Sequence, residues 1–290
     1  MNKASKRIKD FLSLVKFSHT IFAMPFALLG FALGIYDHGR VFDLKIFLLI
    51  ILCMVLARNA AMAFNRFADK NIDRLNPRTA GREIPAGIIS ARSALLFVII
   101  NSVLFVVAAG FINRLTLFLS PVALIVILGY SLTKRFTAYS HLFLGLALAL
   151  APVGAYISVT GSFNIVPVLV GFMVLAWVGG FDIIYSQQDA DFDSENKLHS
   201  IPSSFGQKGA SVISIILHLL STITAVIIGL QLEAGLIYYA GVLIFGILLV
   251  IEHIVARPGD SDSINMAFAT INSYAGIAFV AFAFTDLYFF

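Results

Sequence analysis

The sequence predicts an all-α integral membrane protein, and three observations carry that prediction. Of its 290 residues, 59% are hydrophobic and only 12% are charged. A soluble domain carries roughly 25% charged residues, so this chain cannot coat itself against water and lipid must cover much of its outside. Apolar stretches of about 20 residues, long enough to cross a bilayer core as a helix, recur along the chain. The lysines and arginines gather on one set of alternating connections, as the positive-inside rule requires of a multi-pass protein.

At the N-terminus, Lys3, Lys6, Arg7 and Lys9 precede an apolar run, as in a secretory leader. Lys16 and His19 interrupt that run and no small-residue cleavage site follows, so the segment reads as an amphipathic lead-in to an uncleaved span. Spans are then expected over 18–36, 44–65, 93–112, 115–132, 141–159, 164–186, 210–231, 235–255 and 266–287, nine in all. Only Asn113 and Arg114 part the third from the fourth. Abundant Gly and Ala suit close helix packing in lipid. The longest polar segments are 66–92 and 187–209, which leaves no soluble domain, and 1–290 reads as one domain.

One face collects the N-terminal cluster, Arg66 to Arg92, Lys134, Arg135, Lys197, Lys208 and Arg257, whereas the other has only Arg40, Lys45 and Arg114. The richer face is expected to be cytoplasmic. An odd number of spans then puts the C-terminus, ending Leu287-Tyr288-Phe289-Phe290, outside. The net charge of +4 is too small to mark a nucleic-acid partner. The single cysteine, Cys53, excludes a disulfide framework or a multi-cysteine metal centre and reads as a small apolar residue.

The unusual chemistry lies in two polar segments that follow the expected second and sixth spans. The first runs from Arg58 to Gly87 and contains Asn65, Asp69 and Asp73 at four-residue spacing. On a helix these stack on one face, where like charges repel until a cation binds. The second runs from Phe181 to Gly206 and contains Asp182, Asp189 and Asp193, with Asp191 nearby. Each ends in a Pro-containing loop, at Pro85 and Pro202, so the two read as a weak internal repeat. Magnesium takes one or two carboxylates and completes its shell with water and phosphate oxygens. Two such clusters facing each other are expected to hold two ions with a diphosphate between them. Arg66, Arg78, Arg82, Lys134, Arg135 and Lys197 are placed to take the remaining phosphate charge. A lone pair of loop carboxylates is more often simply solvated. Here the spacing occurs twice, each time at a span end with basic partners, and Arg58 and Asp182 lie within apolar stretches, where charge is costly and usually functional.

These residues resemble the UbiA superfamily of intramembrane aromatic prenyltransferases. The family's N-x-x-x-D-x-x-x-D signature stands here as Asn65, Asp69 and Asp73, followed by an Arg- and Pro-containing stretch from Arg78 to Gly87. The second signature, D-x-x-Y-x-x-x-D-x-x-x-D, stands as Asp182, Tyr185, Asp189 and Asp193, and a Y-x-x-x-K-R element as Tyr130, Lys134 and Arg135. One departure is Gly81-Arg82-Glu83-Ile84-Pro85, where many members read N-R-P-L-P. The likeness covers nearly the whole chain.

The resemblance implies a nine-helix α-barrel capped on the cytoplasmic side, two magnesium ions and an allylic prenyl diphosphate donor. It implies metal binding by Asp69, Asp73, Asp189 and Asp193, with Asn65 and Asp182 assisting. Local wording looks most like bacterial 4-hydroxybenzoate prenyltransferases, including a futalosine-menaquinone branch that accepts a dihydroxynaphthoate. The expected location is then the bacterial inner membrane, with the N-terminus and site cytoplasmic, lipid as surroundings and no obligate protein partner. Heme O, chlorophyll and tocopherol synthases share both motifs and remain alternatives.

Tyr130 and Tyr185 are singled out for stabilising an allylic cation, against purely structural roles. Arg58 lies seven residues before Asn65, two helical turns back. It is expected either to pair with an acceptor carboxylate or to serve as a structural partner of Asp182. His19, His141, His199 and His253 have no metal-ligand spacing and read as interfacial or packing residues, although Ser18 and His19 sit near the expected mouth. Asn265 and Asn272, at i and i+7, are expected on one side of the last span. Two rival classes are weaker. CDP-alcohol phosphotransferases open their motif with D-G-x-x-A-R, which is missing here. Transporters place charges near the bilayer midplane, not at span ends among arginines.

Overall fold

The computed structural model describes residues 10–15, 23–39, 41–257 and 259–289. Lys3, Lys6, Arg7, Lys9, Lys16, Ser18, His19, Arg40 and Phe290 lie outside the described residues. Among the described residues every regular element is a helix. Eight helices among those residues are long and apolar enough to cross a membrane. They correspond to the expected second through ninth spans. The described part of the first is the shorter helix Met24–His38.

Two compact units divide the chain: Met1–Thr20 with Lys45–Leu132, and Ile21–Leu44 with Thr133–Phe290. In the first unit, helices Leu44–Ala68, Lys70–Leu75, Ala91–Gly110 and Arg114–Thr133 follow in order. Ser90 starts the third of these by accepting a hydrogen bond from the Ser93 amide at 3.1 Å. Leu96, Ile99, Val103 and Val107 recur at three- and four-residue spacing on the Ala91–Gly110 helix and are all exposed, which makes a lipid-facing stripe. The loop between the second and third helices is not slack. Its Ile84 and Ile89 are buried with Leu14, Ala60, Ala63, Ala94 and Val98. That burial folds the polar segment back over the helix ends.

The second unit holds Met24–His38, Ser140–Thr160, Ile165–Ser186, Ala190–Glu195, Ile201–Gln231, Leu236–Val255, Ser261–Met266 and Asn272–Phe289. Its helices approach closely where side chains are absent. A Cβ on Gly30 would collide with the Pro152 backbone, and one on Gly145 with the Leu175 backbone. Trp177 is fully buried at the centre, flanked by Phe26, Phe181 and Phe245.

Two local readings change. The 187–209 segment, expected as a polar loop, is largely helical: a helical run starts at Ile201 and, after a break at Gly206 (φ 69°, ψ 174°), continues as the long helix expected from 210. Ser200 and Ser203 form a reciprocal capping box there and Pro202 sits in the first turn, signals that outweigh polarity. Asn265 and Asn272 do not share a face. A π-turn at Ala267–Ile271 lies between them, so seven residues no longer make two helical turns. Asn265 is exposed and Asn272 is buried.

Candidate active site

Both acidic segments use the same backbone solution. The Leu44–Ala68 helix ends at Asp69, and a six-residue helix, Lys70–Leu75, follows. The Ile165–Ser186 helix passes through a 3-10 turn, Gln187–Asp189, and a six-residue helix, Ala190–Glu195, follows. Asp69 (φ −91°, ψ 4°) and Asp189 (φ −107°, ψ 3°) both occupy the sparsely allowed bridge region at the junction. Neither side chain caps the short helix it precedes. A residue at an N-cap normally commits its oxygen to that helix.

In the first unit the four-residue stacking is realised across the junction. The Asp69 amide donates to Asn65 O at 2.9 Å and the Asp73 amide to Asp69 O at 2.8 Å. Asn65 Nδ2 donates to Asp69 Oδ2 at 3.3 Å, and Arg66 Nη1 to Asn65 Oδ1 at 3.5 Å. Arg66, Asp69 and Asp73 are buried. The folded-back loop carries Arg82 to Asp73, with Nη1 2.7 Å from Oδ1. The other Asp73 oxygen, Oδ2, is buried and accepts no hydrogen bond among the described residues. Thr79 Oγ1 donates to the Asp73 carbonyl at 3.0 Å and fixes the loop against the short helix. Tyr130 lies within electrostatic reach of both Arg58 and Arg66. Arg58 and Tyr130 are half-buried, and Arg78 is exposed.

In the second unit Asp182 is held by a residue expected only to pack. His141 Nδ1 lies 2.7 Å from Asp182 Oδ2. The Ile201 amide donates to His141 Nε2 at 3.4 Å, so Nε2 carries the lone pair and Nδ1–H donates to the carboxylate. His141 is therefore an orienting partner of Asp182 and not a packing residue. Asp193 is within reach of the Ser200 hydroxyl, Asp189, Lys134 and His141. Two backbone bonds draw these together: Leu198 N to Asp193 O at 2.9 Å and His199 N to Lys134 O at 2.8 Å. Lys197 takes the left-handed conformation (φ 56°) in that turn and is exposed, as is Arg135. Tyr185 is half-buried, its ring centroid 4.5 Å from that of Phe268.

Sequence reasoning missed His141, Ser200 and Phe268 beside these motifs. A signal existed for His141, which opens an apolar helix just after Lys134 and Arg135, where a polar residue has little packing value. Sequence reasoning also missed a buried network. His218 Nδ1 lies 3.0 Å from His253 Nε2 and 3.8 Å from Glu252 Oε2. Asn272 Nδ2 donates to Glu252 Oε1 at 2.7 Å.

Among the described residues no three His, Cys, Asp or Glu side chains converge on one point. The donors present are carboxylate and amide oxygens, among them the buried Asp73 Oδ2, which accepts no hydrogen bond among the described residues. That set fits a hard cation that takes few protein ligands and fills its shell with water and phosphate oxygens.

Residues 23–280 match the UbiA prenyltransferase family. A 4-hydroxybenzoate octaprenyltransferase from Photobacterium profundum is 31% identical over 81% of this chain and 81% of its own. One from Aliivibrio fischeri is 28% identical over 85% of each chain. Among solved structures, the apo form of a UbiA homolog from Aeropyrum pernix K1 superposes with a TM-score of 0.82. It is 32% identical and covers 92% of this chain and 98% of its own. A UbiA homolog from Archaeoglobus fulgidus bound to GPP and Mg2+ shares the fold, with a TM-score of 0.70 at 20% identity over 96% of this chain and 99% of that one.

Proposed function

The chain belongs to the UbiA prenyltransferase family, and from that premise we propose that it transfers a polyprenyl group from an allylic diphosphate to an aromatic acid. The acceptor class is 4-hydroxybenzoate or a dihydroxynaphthoate, and the product enters quinone synthesis. The observation that carries this reading is the repeated backbone break. Twice, an aspartate in the bridge region joins a long apolar helix to a short one, directly at Asp69 and through a 3-10 turn at Asp189, and its carboxylate does not cap the short helix. The names of the relatives support the acceptor class.

Asp69 and Asp73 with Asn65, and Asp189 and Asp193 with Asp182, would hold magnesium, two ions in all. Bound magnesium supplies Lewis-acid neutralisation of charge on the leaving diphosphate. Lys134, Arg135, Arg66, Arg78 and Lys197 add positive charge for the diphosphate oxygens. Asp73 Oδ2 would remain for the cation, while Arg82 acts first on the other Asp73 oxygen, fixing it in place. His141 does the same for Asp182. The allylic C–O bond breaks with its electron pair leaving on the diphosphate. Tyr130 and Tyr185 are the rings assigned to stabilise the resulting cation. A ring carbon of the acceptor attacks it, and the ring proton is lost to solvent. Arg58 pairs with the acceptor carboxylate. The reading of 1–290 as one domain is supported by a family match that runs over 23–280. The protein works in the bacterial inner membrane, with the N-terminus and both acidic segments cytoplasmic and no protein partner required.

Purified protein in lipid nanodiscs, given geranyl diphosphate, magnesium and a panel of hydroxybenzoate and dihydroxynaphthoate acceptors, should release diphosphate and yield one prenylated aromatic acid. Absence of diphosphate release with every acceptor would overturn the reading.

A further inference from the structure

The π-turn at Ala267–Ile271 is an expensive feature to keep. Such turns make up well under 1% of residues and gather at functional sites. This one is pinned by a single residue. Asn272 is fully buried and uses both ends of its amide. Its Nδ2 donates to the Ala267 carbonyl at 3.2 Å, inside the widened turn, and to Glu252 Oε1 at 2.7 Å. Its Oδ1 accepts from Trp177 Nε1 at 2.9 Å. A buried amide satisfied on both ends tolerates one orientation only. The turn is therefore fixed both along its own helix and against the Ile165–Ser186 helix.

What that turn holds is Phe268. Its ring lies 4.5 Å from Tyr185, tilted by 38°, and 5.4 Å from Phe181, at 75°. Trp177, Phe181 and Tyr185 recur every four residues on one helical face, so Phe268 meets the end of that row nearest the second acidic segment. Asp182 and Asp189 flank Tyr185 by three and four residues. Tyr185 and Phe268 are both half-buried, whereas Trp177 and Phe181 are buried. The more open end of the aromatic row thus adjoins the carboxylates.

We propose that Phe268 is a further catalytic residue, a second aromatic face beside Tyr185 for the allylic cation, and that Asn272 is its positioning residue through the π-turn. This rests on the prenyl-transfer reading above. When the C–O bond breaks, its electron pair leaves on the diphosphate and positive charge spreads over the two ends of the allyl group. An aromatic face attracts that charge through its quadrupole, and the attraction is absent from the neutral ground state. The consequence is a contribution to kcat with little effect on donor KM.

The experiment replaces Phe268 with phenylalanines carrying one, then three ring fluorines, which preserve shape while draining the ring face. Stepwise loss of kcat, reaching about tenfold with donor KM within about twofold, is expected. A flat series overturns the proposal. A wild-type enzyme that releases no diphosphate overturns the functional reading instead, so the two failures are distinct. F268L should lose rate and F268Y retain most of it; the opposite order would mean packing alone and sink the idea. N272L should lower kcat as F268L does, and the double variant should be no slower than either single one. Additive losses would remove Asn272 from the proposal, while the fluorinated series judges Phe268 independently of any folding defect in N272L.

Discussion

The first acidic segment is met by guanidinium groups, the second by an imidazole, a hydroxyl and an ammonium. Arg82 sits on Asp73, and Arg66 is buried one residue from Asn65. In the second segment His141 donates to Asp182, while Ser200 and Lys134 approach Asp193. The backbones of the two are alike, down to the dihedral angles of Asp69 and Asp189. The difference between Asp73 and Asp182 lies in permanent charge. An arginine stays protonated at any physiological pH and partly neutralises its carboxylate before substrate arrives. A neutral imidazole orients a carboxylate without cancelling its charge. Asp182 therefore keeps its charge for a cation, whereas Asp73 is partly neutralised and more rigidly seated.

The largest effect should come from removing the junction aspartates. D69A and D189A should each lower magnesium-dependent prenyl transfer by about a thousandfold, on the scale of losing a key charge-stabilising group. Full turnover in either variant, measured with labelled prenyl diphosphate, would break the equivalence of the two segments. Next is His141. H141A should cost about 10- to 100-fold in turnover or magnesium affinity, as loss of a ligand-orienting partner does, and H141Q should recover part of it. Recovery in steady-state assays at raised magnesium would locate the defect in metal binding. Smaller still is R82Q, expected to raise donor KM about tenfold with kcat nearly unchanged. A lower kcat at unchanged KM would place Arg82 in the chemical step. The least is expected outside both segments. Asp37 accepts from Tyr156 Oη and Asn164 Nδ2, each at 2.8 Å. D37A should lower stability by about 1 kcal/mol in thermal unfolding, with turnover per folded molecule unchanged.

Much of the scaffold was legible. Apolar runs marked the second through ninth spans because lipid demands about 20 apolar residues for each crossing helix. The acidic spacing was legible because Asn65, Asp69 and Asp73 lie within one local stretch of helix, where sequence distance fixes spatial distance. The helical start at Ile201 was written in Ser200, Pro202 and Ser203 but was outweighed by the polarity of the surrounding segment. The π-turn had no such signature. It follows from Asn272 finding partners on two other helices, Glu252 and Trp177.

The sequence by itself determined the solvent, the second through ninth spans, the two acidic segments and the family, since each depends on composition or on residues close along the chain. The tertiary structure alone decided which group stands against each carboxylate. Arg82 reaches Asp73 only because burial of Ile84 and Ile89 folds the loop back. His141 meets Asp182 across 41 residues and Phe268 meets Tyr185 across the unit's core. Such pairings depend on how helices pack, and no periodicity within one segment encodes them.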